Sequence, residues 1–230
     1  MSEEKLYSKK NEVYKREREI DGKKRFVVEK KFSETKRFYM EYIMHDILAK
    51  GGLSVPRLLD FEPPAGDFCG KLVYEFLGGD IVLDVLSEKK IARGVIWQII
   101  VWLGRFYEIT SEQSDGERWI LGDTHLRNFI YDREKRTVYG FDFEETEKGR
   151  IEQDIAKLFL YIASYEPAYS EWHMELAEYF LRESLAAFEI DKKAFPDEIN
   201  NEAKRMGERR QTEIKTELVS PILERVIGNV

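Results

Sequence analysis

Two short segments carry the residue types that phosphoryl transfer requires: Leu121-Gly-Asp-Thr-His-Leu-Arg-Asn128 and Val138-Tyr-Gly-Phe-Asp-Phe-Glu144. Asn128 follows Asp123 by five positions and Asp142 follows it by nineteen, with a hairpin expected between them. That spacing is expected to bring a carboxylate, a carboxamide and a second carboxylate to one cleft. Moving a phosphoryl group from Mg-ATP asks little covalent chemistry of a protein. It needs metal ions bridging the phosphates, a cation on the phosphates that stay behind, and a carboxylate orienting the acceptor hydroxyl. Mg2+ takes hard oxygen ligands and keeps several waters, so one Asp and one Asn suffice beside the phosphate oxygens. Asp142 and Asn128 are the candidate metal ligands, and Asp123 is the candidate catalytic carboxylate, placed to accept or orient the acceptor's proton. Each segment alone is more often a loop with a capping aspartate. Jointly, at these spacings and with Phe129-Ile130-Tyr131 alongside, they favour the functional reading.

The rest of the chain must hold these loops. Residues 5–32 read as strands, with the turn signal Asp21-Gly22 between Asn11–Ile20 and Lys24–Phe32. Ser33 is expected to cap a helix with an acidic first turn and an apolar stripe of Met40, Ile43, Met44, Ile47 and Leu48, stopped by Gly51-Gly52. Short extended pieces follow, Arg57–Phe61 and Lys71–Phe76, and Gly78-Gly79 is the candidate interlobe break. Beyond it helices are expected over Asp80–Ser87, Ile91–Tyr107 (apolar nearly all round, hence buried), Asp154–Ser164, Ser170–Phe188 and Pro196 to about Val226. The expected fold class is α+β in two lobes: residues 1–77 strand-rich with one helix, and residues 78–230 helical, carrying the catalytic and metal-binding loops. A cleft between lobes is where ligands usually bind.

Gly122-Asp-Thr-His-Leu-Arg-Asn128 resembles the Gly-Asp-x-His-x-x-Asn catalytic loop of the protein-kinase-like superfamily. The likeness is greatest to its small members: aminoglycoside and choline phosphotransferases, and the kinases of the lipopolysaccharide core sugars Kdo and heptose. Gly140-Phe-Asp-Phe-Glu144 is similar to their Ile-Asp-Phe/Trp-Glu metal segment, and Asp154-Ile-Ala-Lys-Leu158 to the following helix, whose aspartate buttresses the catalytic loop. The likeness covers roughly residues 25–160 and implies a two-lobed kinase-like fold using ATP and Mg2+. Val27-Val-Glu-Lys-Lys31 resembles the Val-Ala-Ile-Lys strand, which makes Lys30 the lysine on the α- and β-phosphates and Val28 a wall of the adenine pocket. Lys31 points the other way on a strand and is the fallback. The resemblance makes Glu41 the helix glutamate that pairs with this lysine. Leu72-Val-Tyr-Glu-Phe-Leu-Gly78 resembles the hinge, where Glu75 and Leu77 present backbone groups to adenine.

Three departures matter. No glycine-rich loop precedes Lys30; Tyr7-Ser-Lys-Lys-Asn11 stands there, so backbone amides with Lys9 or Lys10 cover the phosphates or ATP is held less tightly. Leu121-Gly122 replaces the histidine- or arginine-containing triplet before the catalytic aspartate. Only twelve positions separate Asp142 from Asp154, too few for a regulated activation loop, which shifts the acceptor towards a small molecule or glycan. The alternatives are a compact RIO-like protein kinase working in a complex with a protein partner, or a pseudokinase that binds nucleotide without turnover. His125 and Arg127 read as packing or pairing locally; Tyr169 and Trp172 as core. Lys204, Arg205, Arg209 and Arg210 read as a solvated face, with an anionic acceptor or partner as the sharper option.

Composition agrees with this reading. The net charge of -7 argues against a nucleic-acid partner or an anionic membrane surface. One cysteine, Cys69, cannot form an internal disulfide, and the polar, acidic start is no secretory leader, so the cytoplasm is the expected location. The most apolar run, Val95–Gly104, is far too short to span a bilayer.

Overall fold

A computed structural model describes residues 3–112 and 118–228. Its first part is a five-stranded antiparallel sheet in the order β1-β2-β3-β5-β4: β1 Glu3–Leu6, β2 Glu12–Ile20, β3 Lys23–Lys31, β4 Leu58–Glu62 and β5 Lys71–Glu75. β2 and β3 turn on Asp21-Gly22, both at positive φ (53° and 71°), whose twist matches that of the flanking strands. Helix α1, Thr35–Lys50, lies between β3 and β4 and ends at Gly51.

Two expectations about α1 are corrected. The capping residue is Glu34 rather than Ser33, and no acid lies in the first turn. Ser33 is held at the strand end because its backbone N–H donates to Asn11 Oδ1 at 3.2 Å. Ile43 is half exposed, and the buried face is Phe38, Glu41, Met44, His45 and Leu48. The helix is turned so that a glutamate and a histidine face inwards, which hydrophobicity alone disfavours. Met44 and Leu48 join the large core built from the C-terminal helices, while Phe32, Phe38, Leu72 and Tyr74 form a small core under the sheet. An Arg105 guanidinium donates to the Gly51 carbonyl at 3.1 Å, tying the end of α1 to the second part.

That second part begins with β6 Asp80–Ile81, α2 Val82–Val85 and α3 Lys89–Glu112. The expected helix over Asp80–Ser87 is shortened because Asp80 and Ile81 pair with Tyr131 and Ile130, satisfying the edge of a hairpin. α3 is the central helix, but Trp97 and Val101 face solvent, so it is not buried all round. β7 Trp119–Ile120, β8 Phe129–Asp132, β9 Thr137–Gly140 and β10 Glu147–Lys148 form two small sheets that frame the site loops. The expected hairpin is β8–β9. Then come α4 Ile151–Ser164, α5 Glu171–Ala187, α6 Phe195–Arg210 and α7 Thr216–Ile227.

α6 and α7 replace the single last helix expected. Gln211 takes the left-handed conformation (φ 53°) and the Thr212 N–H turns back to the Gly207 carbonyl at 3.1 Å. No glycine or proline marks that break, so the sequence pattern runs through it. No helix among the described residues is long and apolar enough to cross a membrane.

Candidate active site

The loop 121–128 is organised by one buried carboxylate. Asp154, near the start of α4, accepts the N–H groups of Leu121 (2.8 Å) and Gly122 (3.2 Å), the Tyr107 hydroxyl (3.0 Å) and the Thr124 hydroxyl. Burial pushes the Asp154 carboxyl above its ordinary range even against these donors. Lys157, one turn on, donates to the Gly122 carbonyl. Gly122 sits at φ 71°, and a Cβ there would run into the Glu145 carbonyl; only glycine lets the two loops approach this closely. The buttressing role that the resemblance implied for Asp154 is therefore visible as geometry. Asp154→Ala leaves four buried donors without an acceptor and is expected to cost about 3–5 kcal/mol. A chemical-denaturation midpoint close to that of the unaltered chain would contradict this.

Asp123 projects from this loop. The Asn128 side-chain amide donates to the Asp123 carbonyl at 3.0 Å, which leaves Asn128 Oδ1 without a protein partner among the described residues. Burial alone would raise the Asp123 carboxyl. His125, with Nε2 3.6 Å from Oδ2, and then Lys157 and Arg209 outweigh it and hold it at about 2. The Arg209 guanidinium lies 3.6 Å from Oδ1.

The second segment crosses directly beside it. The Phe141 N–H donates to the Asn128 carbonyl at 3.0 Å, and Asp142 follows with φ 69°. Phe143 is buried against Trp102 (ring centroids 6.3 Å) and its N–H donates to Glu41 Oε2 at 2.6 Å. Asp123, Asn128 and Asp142 line one small pocket together with Trp102, Phe129 and Phe143.

Lys30 and Glu41 meet these acids from the first part of the chain. The Lys30 ammonium lies 2.5 Å from Asp142, 2.9 Å from Glu144 and 3.4 Å from Glu41. Burial would lower Lys30, but Asp142, Glu41 and Glu144 together raise it well above its ordinary range, so it stays charged. Glu41 is also the acceptor of the Tyr74 hydroxyl at 3.0 Å. Lys31 points away and pairs with Glu12 at 3.5 Å, so alternation on β3 brings Lys30 rather than Lys31 to the acids. Val28 shares the Lys30 face and packs on the small core. The Glu75 N–H is taken by the Arg57 carbonyl at 2.9 Å, whereas Leu77 enters no hydrogen bond among the described residues.

Several participants carried no assigned role from sequence. Glu144 is buried and is held by Lys30, by the Asn11 amide at 2.5 Å and by Arg37 at 3.5 Å. Its only signal was its place at the end of Phe-Asp-Phe-Glu. Glu145 pairs with Lys10 and Arg37, so the β1–β2 loop is latched onto the metal segment by Lys10 and Asn11. Tyr169 and Trp172 are structural: the Tyr169 hydroxyl accepts the Lys215 N–H at 3.0 Å and the Trp172 indole N–H donates to the Leu86 carbonyl at 2.8 Å. Glu41, Asp142 and Glu144 have carboxylate oxygens within 4.8 Å of one another. The Lys30 ammonium sits among those oxygens and neutralises them, while Asp142 and Asn128, which line one pocket, offer the hard oxygens that suit Mg2+.

No protein-family model matches the chain, and no curated protein matches it either. Solved structures do. The apo form of a thermostable mutant of aminoglycoside phosphotransferase APH(4)-Ia superposes with a TM-score of 0.60 at 12% identity, over 98% of this chain and 92% of that one. The aminoglycoside phosphotransferase APH(3'')-Id from Streptomyces rimosus, in complex with ADP and streptomycin, gives 0.59 at 13% identity, over 80% and 90%. The GDP and kanamycin complex of APH(2")-IIIa gives 0.59 at 11% identity, over 98% and 91%. At such identities the likeness establishes the fold. The chain has the two-lobed protein-kinase-like fold in the form that aminoglycoside phosphotransferases display.

Proposed function

We propose that this chain is an ATP- and Mg2+-dependent phosphotransferase that moves the γ-phosphoryl group to a hydroxyl of a small molecule or glycan in the cytoplasm. Residues 1–77 are the nucleotide lobe and 78–230 the catalytic lobe. The observation that carries the reading is the convergence of Asp123, Asn128 and Asp142 on one pocket, faced by the Lys30–Glu41 pair. Those residues come from four separate elements, which a set of unrelated turn aspartates would not bring together. The relatives whose structures hold ADP or GDP and an aminoglycoside add support for a nucleotide and a hydroxylated acceptor.

Asn128 and Asp142 would hold the metal, with Glu144 adjoining, and the metal would neutralise charge on the phosphates. Lys30, kept in place by Glu41, grips the non-transferred phosphates. Val28 lines the base pocket, and the backbone of Glu75 and Leu77 reads the base edge. Asp123, fully ionised at neutral pH, orients the acceptor hydroxyl. The acceptor oxygen bonds to the γ-phosphorus as the bond to the β–γ bridging oxygen breaks, ADP departs, and the hydroxyl proton passes to Asp123 late in the step.

Calorimetric titration with ATP, with and without Mg2+, tests the reading: saturable binding that needs the metal is expected, and none in either condition would refute it. A pH dependence follows as well. Burial drives the Glu41 carboxyl up, Lys30 opposes it, and the charges of Asp142 and Glu144 add to burial, leaving it at about 7. Only ionised Glu41 holds Lys30 firmly, so nucleotide affinity is expected to rise with pH around a midpoint near 7. Stability runs the other way. The folded-state value lies above the ordinary 4.5, so the Glu41 contribution is complete below 4.5 and is lost as pH rises through about 7. Glu41→Gln should remove the affinity inflection; a profile identical to that of the unaltered chain would reject the assignment.

A further inference from the structure

The end of α6 reaches the Asp123 carboxylate, and it is basic. Arg209 reaches the Asp123 carboxylate at 3.6 Å and shares its charge with the buried Glu202 at 3.0 Å. Arg205 is likewise committed, to Glu202 at 3.0 Å and Glu198 at 3.2 Å. Arg210 is different. Its guanidinium donates to the Ser164 hydroxyl at 3.0 Å and lies over the Tyr161 ring, 4.5 Å from the centroid. It has no carboxylate partner among the described residues, and neither has Arg127, which projects from the catalytic loop and is exposed. Burial pushes the Tyr165 hydroxyl up, and the charges of Arg210 and Arg127 partly oppose it. Tyr161 stacks on Tyr165 (ring centroids 5.6 Å, 25°), and His125 meets the Tyr161 edge at 5.6 Å. The Tyr161–Tyr165 stack thus lies next to the candidate catalytic carboxylate, with Arg210 over it and the exposed Arg127 on the neighbouring loop.

We propose that the phosphoryl acceptor is itself an anion: a hydroxylated compound whose phosphate or carboxylate group is bound by Arg210 and Arg127. Its hydroxyl faces Asp123. Guanidinium forks match both oxyanions, and phosphate best, because they donate two parallel hydrogen bonds. The same arginines repel a polycation such as an aminoglycoside, so this site would select against the substrates named for the structural neighbours. The inference rests on the phosphotransferase reading above and narrows it.

The test fills the nucleotide site first, with saturating Mg2+ and a non-hydrolysable ATP analogue. Inorganic phosphate, acetate and kanamycin are then titrated separately while the arginine Nε–H signals are followed by NMR. Saturable shifts at Arg210 and Arg127 are expected with phosphate, about ten-fold weaker with acetate, which forms fewer charge-assisted bonds, and none with kanamycin. Arg210→Gln should weaken the phosphate response by about ten-fold; Arg210→Lys, which keeps the charge but not the fork, should fall between. The analogue's affinity for each variant, read in the same samples, reports an intact fold. Kanamycin binding as well as phosphate, no saturable phosphate response at these arginines, or a response indifferent to Arg210→Gln in a folded variant each overturn the proposal. Where the analogue binds but the anions fail, only this inference falls. If the analogue itself does not bind, the phosphotransferase reading falls and takes this one with it.

Discussion

Asp142→Asn is expected to abolish metal-dependent nucleotide binding and to lower turnover by about a thousand-fold, the scale on which removing a charge-stabilising group acts. The substitution is unusually clean. Asp142 occupies the left-handed region at φ 69°, which asparagine accepts about as readily as aspartate, so the loop keeps its path. Phe143 stays anchored through its N–H to Glu41, and Lys30 keeps Glu144 and Glu41 as counter-ions. What is lost is one negative charge at the point where Asn128 and Asp142 face each other. Calorimetry with ATP at fixed Mg2+, repeated without the metal, separates the two states: a variant that still gains affinity from Mg2+ would remove Asp142 from the metal site.

Asp123→Asn should do the opposite. Nucleotide affinity is expected to stay within a few-fold, whereas transfer to an alcohol, or slow ATP hydrolysis with water as acceptor, falls by about 10²–10⁴-fold. The backbone carbonyl that receives the Asn128 amide is untouched, so Asn128 remains positioned. The lost quantity is the anionic oxygen that His125 and Arg209 hold ready. Because those neighbours keep the carboxyl at about 2, its titration should be invisible in any pH profile taken near neutrality. Equal turnover in the variant, with binding intact, would leave Asp123 without a catalytic role.

Asp142→Asn and Asp123→Asn probe the part of the site that is legible in the residues. Asp123, Asn128 and Asp142 were readable because short-range spacing, a hairpin signal and hard-oxygen chemistry all pointed the same way. The Asp21-Gly22 turn and the Gly51-Gly52 helix stop were readable because a backbone conformation demanded those residue types. The misreadings have a common origin. Ile43 was placed inwards by apolar periodicity, but α1 is rotated to bury Glu41 and His45, since the ion pair with Lys30 and the bond from the Phe143 N–H are tertiary contacts. The reading of α3 as buried all round fails for the same reason, since Trp97 and Val101 face solvent. The break at Gln211 had no glycine to announce it, and it is held by Thr212 reaching back to Gly207.

The residues alone determined that a strand-rich part would precede a helical one, that two loops would offer oxygen ligands at kinase-like spacing, and that Lys30 would lie on a face opposite Lys31. Each follows from a local rule: period, turn chemistry, or alternation along a strand. The tertiary structure decided that Glu144, Asn11 and Arg37 join the cleft, that one buried Asp154 fixes the catalytic loop, and that a distant helix end puts arginines beside Asp123. Those contacts join residues far apart in sequence. Their energy comes from burying charges with partners that only the assembled chain supplies, and no local pattern encodes which partner a charge will meet.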